Sequence, residues 1–288
     1  MLHTRTGSFP IGFRRIRRAV WQQDLETLHT FVQQEGFGFI DLLDDADTQA
    51  SECLAKDVAV CSVDLPDPAG IASPDPETRA KAIERAGAYI RACSKIGLHR
   101  FFLVVRPGDP AMSRQEAFDA AVEGYRELYP VLEETDTWLV IEGFPPGLVT
   151  NPESYREFRK RVGDRAAVNY DPSHLIRMDV DPIRFLKEFA PYVHHVHGKD
   201  TEILTENLYE IGRDCASVTG VSHRFGGAFW RYTVPGHGVM RWTEALKILR
   251  DSGYKGGISI ELEDEQFNGS EDGERLGLRL AGRYLAGC

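Results

Sequence analysis

The sequence predicts an α/β protein: a single eight-fold β/α (TIM) barrel over 1–288, with a long loop after the seventh strand. Three observations carry this. Short apolar runs alternate with helical stretches eight times, and no shift in composition marks a linker. Four of the apolar runs end in a carboxylate or an imidazole: LVIEGFPP (139–146), VNYDPSHL (168–175), VHHVHGKD (193–200) and ISIELED (258–264). Ligand-type side chains at the ends of several strands are the pattern of a site at the mouth of a barrel.

The elements follow in order. Residues 8–13 read as the first strand. Asp24 caps a helix with Leu25, Leu28 and Val32 at helical spacing, and Gly36 stops it. The second strand is 38–43, and a short helix puts Ala50, Cys53 and Leu54 on one face. The third strand, 57–65, is largely apolar, as suits a strand buried on both faces, and Cys61 is read as core. A Pro-rich loop from Pro66 to Pro74 leads to Asp75-Pro76, a cap followed by proline at the first helical position, and that helix runs to about Ile96. Strand 99–105 comes next, then a long helix opened by the capping box Ser113/Glu116. The fifth strand is 137–143, followed by helix 152–162 and the sixth strand, 166–171. Asp181-Pro182 repeats the cap-plus-proline device before the seventh strand, 193–199. A helix over 241–252, the strand at ISIELE and a closing helix over 271–286 complete the chain. An open doubly wound sheet is the alternative, but it calls for a GxGxxG or GxxxxGK loop and neither occurs.

The segment 200–240 breaks the rule of short connections, and long loops inside compact domains are usually functional. It leaves a strand at the C-terminal face and carries Tyr209, Arg213, His223, Arg224, Trp230, Arg231, Tyr232 and His237. It reads as a lid or substrate-contact segment, with Trp230 and Tyr232 placed to stack on a sugar ring, or as a surface for oligomer contacts.

Composition narrows the function. The chain has 288 residues, is 42% hydrophobic and carries a net charge of −10, which argues against a nucleic-acid partner. Arg14, Arg15, Arg17 and Arg18 form one basic exception, read as a solvated turn. The five cysteines are odd in number and lack a CxxC pair, which suits free thiols in a reducing compartment. No apolar run approaches the roughly 20 residues of a membrane helix, and the N-terminal stretch lacks the apolar centre of a signal peptide. The expectation is a cytoplasmic protein with no membrane partner.

Glu142, Asp171, His197 and Glu261 are the expected metal ligands. Singly, each has another reading: a salt bridge for Glu142, a helix cap for Asp171, a core histidine for His197, a solvated carboxylate for Glu261. Together, three carboxylates and one imidazole make a hard site for one divalent ion, Mn²⁺ first, with Mg²⁺, Co²⁺ or Zn²⁺ as alternatives. Such an ion would polarise a substrate carbonyl, and the glutamates could move a proton at the adjacent carbon. Alternation puts His195 and His197 on one face of their strand and His194 on the other.

IEGFPP, NYDPSHL, HVHGKD, PGHGVMRW and ISIELED resemble the xylose-isomerase-like sugar isomerase/epimerase superfamily, from Leu139 to Asp264, with only the strand–helix rhythm matching before that. The resemblance implies Glu142, Asp171, His197 and Glu261 as metal ligands and Glu142 with Glu261 as the acid/base pair. It implies substrate contacts at His174, Lys199 and His237, with Asp200 supporting from behind the ligands. Dimers or tetramers are frequent in that superfamily. It includes endonuclease IV, but the histidines such a nuclease needs after its third and fourth strands are replaced here by Val63-Asp64-Leu65 and Val105-Arg106-Pro107. The expected function is a metal-dependent sugar isomerase or epimerase acting beside a carbonyl. The alternatives are a lyase of the same architecture (dehydratase, hydratase or 3-keto-glycoside eliminase) and a non-catalytic sugar-binding barrel.

Overall fold

A computed structural model describes residues 1–288. The strands are β1 (Ile11–Arg14), β2 (Ile40–Leu42), β3 (Val60–Asp64), β4 (Arg100–Leu103), β5 (Trp138–Glu142), β6 (Ala166–Tyr170), β7 (Val193–Gly198), β8 (Asp200–Ile203), β9 (Trp230–Thr233) and β10 (Ile258–Ile260). The helices are α1 (Leu25–Glu35), α2 (Ala46–Ala55), α3 (Pro68–Ile71), α4 (Pro76–Ser94), α5 (Arg114–Glu134), α6 (Pro152–Val162), α7 (Pro172–Arg177), α8 (Pro182–Phe189), α9 (Thr205–Ile211), α10 (Trp242–Asp251) and α11 (Glu271–Gly287). Eight strands close into a barrel in the order β1-β10-β7-β6-β5-β4-β3-β2. No helix is long and apolar enough to cross a membrane.

The caps form where the residue types place them. Asp24 accepts from the N–H groups of Glu26 and Thr27, and Gly36 ends α1 at φ +75°. Asp75 and Asp181 cap α4 and α8, each followed by proline at the first helical position, and the Ser113/Glu116 box opens α5.

The chain divides into two compact units. The first holds Met1–Ile40, Asp171–Pro191 and Val196–Cys288. There β1 pairs with β10 and β10 with β7, all parallel. Its aromatic core sets Phe13 edge-on to Phe31 and Phe37, with Trp21 against Phe31. Trp21 Nε1 donates to Glu274 of α11 at 2.8 Å, so the buried indole is satisfied. The second unit holds Asp41–Tyr170 and Tyr192–His195. In it β3, β4, β5 and β6 pair in parallel, with Glu142 opposite Asn169 in register. Phe118 and Tyr125 of α5 pack edge-on to Phe158 of α6.

Several expectations need correction. The segment 200–240 is not one loop: β8 and β9 pair as an antiparallel arm, Asp200 opposite Thr233 and Ile203 opposite Trp230, with α9 between them. Two four-residue strands so far apart in sequence leave no local hairpin signal. The loop 66–74 contains α3, capped by Asp67. Cys61 is only partly buried rather than core, and Leu54, placed on one face with the buried Ala50 and Cys53, is exposed. Arg14 and Arg15 are not a solvated turn: Arg15 is buried and donates to Gln23, and Arg14 reaches Glu261.

Candidate metal centre and active site

The first unit supplies most of the charged groups. Asp171 follows β6 and caps α7, and its two oxygens divide the work that the sequence left as alternatives. Oδ1 accepts from Ser173 N at 2.8 Å and Ser173 Oγ at 2.6 Å. Oδ2 faces the other way, 3.9 Å from His197 Nδ1 and 3.3 Å from Lys199 Nζ. His197, on β7, brings Nδ1 to 3.4 Å from Glu261 Oε2. Lys199 Nζ donates to Glu261 Oε2 at 2.5 Å and to Glu263 Oε2 at 2.9 Å. Arg14 Nε lies 3.3 Å from Glu261 Oε1. Burial by itself would raise the Glu261 carboxyl; Lys199, then His197 and Arg14, outweigh it and hold that carboxyl well below the usual carboxylate range.

The arm contributes Tyr232, whose hydroxyl lies 2.6 Å from His174 Nδ1 and whose ring lies 4.6 Å from Lys199 Nζ. Tyr232 is buried, so its ring acts as a wall of the charged cluster. Trp230 packs tilted against Tyr232 and carries the Arg177 guanidinium over its face at 4.8 Å. His237 is exposed, with its ring 6.2 Å from Phe267, and is not one of the grouped ligand residues. Asp200 accepts from the N–H groups of Thr201, Gly236 and Met240, which fastens the returning end of the arm to β8.

In the second unit Glu142 is buried at the end of β5 and accepts at Oε2 from Asn169 Nδ2, 3.0 Å away. Asn169, His195 and Asp41 were not singled out as site residues from the sequence. The alternation that puts His195 on the face of His197 was the one signal available, and both are fully buried.

One ligand atom each from Glu142, Asp171, His197 and Glu261 lies within 4.8 Å of the others. These are the four residues expected to act as ligands. Three carboxylates and one imidazole fit a hard divalent cation and make a candidate metal site. Asp41, His195 and His197 meet the same spacing, but there Asp41 and His195 already satisfy each other at 3.1 Å.

The chain belongs to the xylose isomerase-like TIM barrel family, which it matches over residues 26–283. It is 33% identical over 149 residues to the uncharacterized protein YfiH of Bacillus subtilis, covering 51% of this chain and 47% of that protein. It is 29% identical over 153 residues to an inosose dehydratase of Clostridium perfringens, covering 52% and 49%. The matched stretch spans about half the length of these curated relatives. Among solved structures, the 3-keto-D-glucoside 4-epimerase YcjR of E. coli superposes with a TM-score of 0.72 at 13% identity, covering 97% of this chain and all of the other. The IOLI protein, solved with a bound zinc atom, superposes with a TM-score of 0.67 at 16% identity, covering 96% and 95%. At these identities the structural likeness is one of fold.

Proposed function

We propose that the protein is a divalent-metal-dependent sugar isomerase or epimerase, acting on a ketose or keto-sugar at the carbon beside its carbonyl. The observation that carries this is the meeting of Glu142, Asp171, His197 and Glu261. A divalent cation held by these four supplies Lewis acidity to a carbonyl oxygen. Mn²⁺ is the first choice for that ion, followed by Mg²⁺, Co²⁺ and Zn²⁺.

The chain's own residues then handle the proton. Glu142 and Glu261 form the acid/base pair. The carboxylate of one takes the proton from the carbon beside the carbonyl, and the C–H electron pair moves into an enediolate. The carboxyl of the other returns a proton, to the opposite face for an epimer, or to the neighbouring carbon for an isomer, in which case the hydroxyl proton of the adjacent oxygen passes to the former carbonyl oxygen. Glu261, held ionised by Lys199, suits the first role. Lys199 and His174 face substrate oxygens, Tyr232 and Trp230 wall the sugar, and Asp200 anchors the arm that carries them. His237 keeps a substrate role only if a bound sugar extends past Thr233 to the returning end of the arm. One barrel over 1–288 is the working unit. Five free cysteines support a cytoplasmic setting.

A second reading is favoured by one observation: several of the relatives similar in sequence are inosose dehydratases. In a lyase the same enediolate expels the β-hydroxyl, and the proton of the other carboxyl goes to that oxygen, which leaves as water, instead of to carbon.

The test is proton exchange. Metal-loaded protein is incubated in D₂O with ketoses, 3-keto-glycosides and keto-inositols, then stripped of metal and read by NMR. Deuterium beside the carbonyl together with a new epimer or isomer supports the first reading. Deuterium with loss of water supports the lyase. No exchange by protein shown to hold its metal overturns both.

A further inference from the structure

Four buried polar residues of the second unit form one hydrogen-bonded line. Asp41 lies on β2, His195 on β7, Asn169 on β6 and Glu142 on β5. Their exposures are 0%, 0%, 1% and 3%. Asp41 oxygens lie 3.1 and 3.2 Å from His195 Nε2. His195 Nδ1 lies 2.9 Å from Asn169 Oδ1, and Asn169 Nδ2 lies 3.0 Å from Glu142 Oε2. Ser62 N–H donates to Asp41 Oδ1 at 2.9 Å and holds that end of the line to β3.

The chemistry of the members fixes the direction of each bond. Oε2 of Glu142 accepts from Asn169 both when the carboxyl is ionised and when a proton sits on its other oxygen, so the Asn169 amide turns its NH₂ to Glu142 and its oxygen to His195. An amide oxygen only accepts, so His195 Nδ1 must carry a hydrogen. One further proton lies between His195 Nε2 and Asp41, and on either partner it completes the last bond. Hydrogens therefore point from His195 through Asn169 to Glu142.

We propose that Asn169 and His195 are positioning residues for Glu142, with Asp41 as the anchor. The line fixes which Glu142 oxygen is occupied by protein and how the carboxylate plane is turned in the site. It deepens the proposed function, because it rests on Glu142 being a metal-holding acid/base group. Partners of this kind behind a ligand typically contribute about 10- to 100-fold in metal affinity or activity.

The first experiment reads the imidazole in ¹⁵N-labelled, metal-free protein by long-range ¹H–¹⁵N correlation. A protonated Nδ1 on His195 is expected. A bare Nδ1 overturns the line, because Asn169 would then turn its oxygen to Glu142. The second measures Mn²⁺ affinity by calorimetry, alongside turnover, for Asn169→Leu, His195→Phe and His195→Gln. Asn169→Leu and His195→Phe should weaken Mn²⁺ binding about tenfold or more and lower kcat with KM within about twofold. His195→Gln, which can again donate to Asn169, should recover most of both. Wild-type affinity in all three, or equal losses in the Gln and Phe variants, overturns the positioning role. The imidazole spectrum judges the line even where no sugar is turned over. Failure of the unaltered protein to bind Mn²⁺ overturns the reading of Glu142 and, with it, this role.

Discussion

Lys199 Nζ lies 2.5 Å from Glu261 Oε2 and is 1% exposed, so its charge is shared with protein groups rather than with solvent. The same ammonium lies 2.9 Å from Glu263 and 3.3 Å from Asp171. One cation therefore stands against three carboxylates. Two of those, Asp171 and Glu261, are expected ligands, so under the proposed function the same cation bears on both proton transfer and metal holding.

Lys199→Met should for that reason be costly in two ways. Removing one partner of a buried pair leaves uncompensated charge, and the expected loss of stability is about 3 kcal/mol. Turnover should fall by about 100-fold, since the ammonium is the leading group that holds Glu261 ionised. Urea midpoints and steady-state rates measure the two effects. Lys199→Met combined with Glu263→Gln should regain part of the stability but none of the rate. An unchanged midpoint in Lys199→Met would refute the buried-pair account.

Asp171 divides its oxygens between Ser173 and the cluster, and this separates its two roles experimentally. Asp171→Asn should lower Mn²⁺ affinity by more than about 100-fold, because a ligand is lost outright. Ser173→Ala removes only the 2.6 Å bond that orients the carboxylate and should cost about tenfold. Calorimetric titration of chelator-stripped protein compares them. Equal losses would mean that Asp171 acts only as a cap.

The Asp181 cap gives a prediction about stability alone. Its carboxylate accepts from Ile183 N at 2.8 Å and Arg184 N at 3.1 Å, and the Arg184 N–H leads in holding it below the usual carboxylate range. A lowered folded-state pKa contributes stability above the unfolded-state pKa, and that stability is lost as pH falls through the folded value. Asp181→Ala should cost about 1 kcal/mol at neutral pH, and the difference from the unaltered protein should begin to shrink as pH falls below about 4 and be gone only below the folded-state value. Urea unfolding at about pH 7, 4 and 2 checks both statements; a difference that stays constant over that range would assign the effect to helix propensity.

What could be read from the sequence follows from how far each signal reaches. Asp24, Asp75, Ser113 and Asp181 act on N–H groups two or three residues away, so the caps were legible. The four expected ligands share one local pattern, an apolar run ending in a ligand-type side chain, and the structure gathers them. Asn169 and Asp41 were missed because their meaning lies across the barrel: Asn169 acts on Glu142, 27 positions away, and Asp41 on His195, 154 positions away. Alternation assigns a residue to a face but does not say what stands opposite. Arg14 was misread for the same reason. A run of arginines looks solvated until β1 pairs with β10, in a register that brings Phe13 beside Ile260, next to Glu261.

His194 carries the last prediction. It points away from His195 and packs its ring on Trp138, 4.9 Å between centroids. Burial first, then the charges of Arg100, Arg159 and Arg165, lower its pKa to about 4. In the unfolded chain the imidazole returns to about 6.5. Between those values the unfolded state binds a proton that the folded state refuses, so stability must fall as pH drops from about 6.5 towards 4 and level off below. With solvent screening of the partly exposed ring, the shift corresponds to no more than about 2 kcal/mol. His194→Gln removes the titrating group while retaining a polar side chain of similar reach. Urea midpoints followed from pH 7.5 to 4.5 should therefore fall more steeply for the unaltered protein than for His194→Gln, with the two curves diverging below about pH 6.5. Other titrating groups contribute equally to both curves and cancel in their difference. Parallel curves would mean that His194 is protonated in the folded protein and that the three arginines do not set its charge.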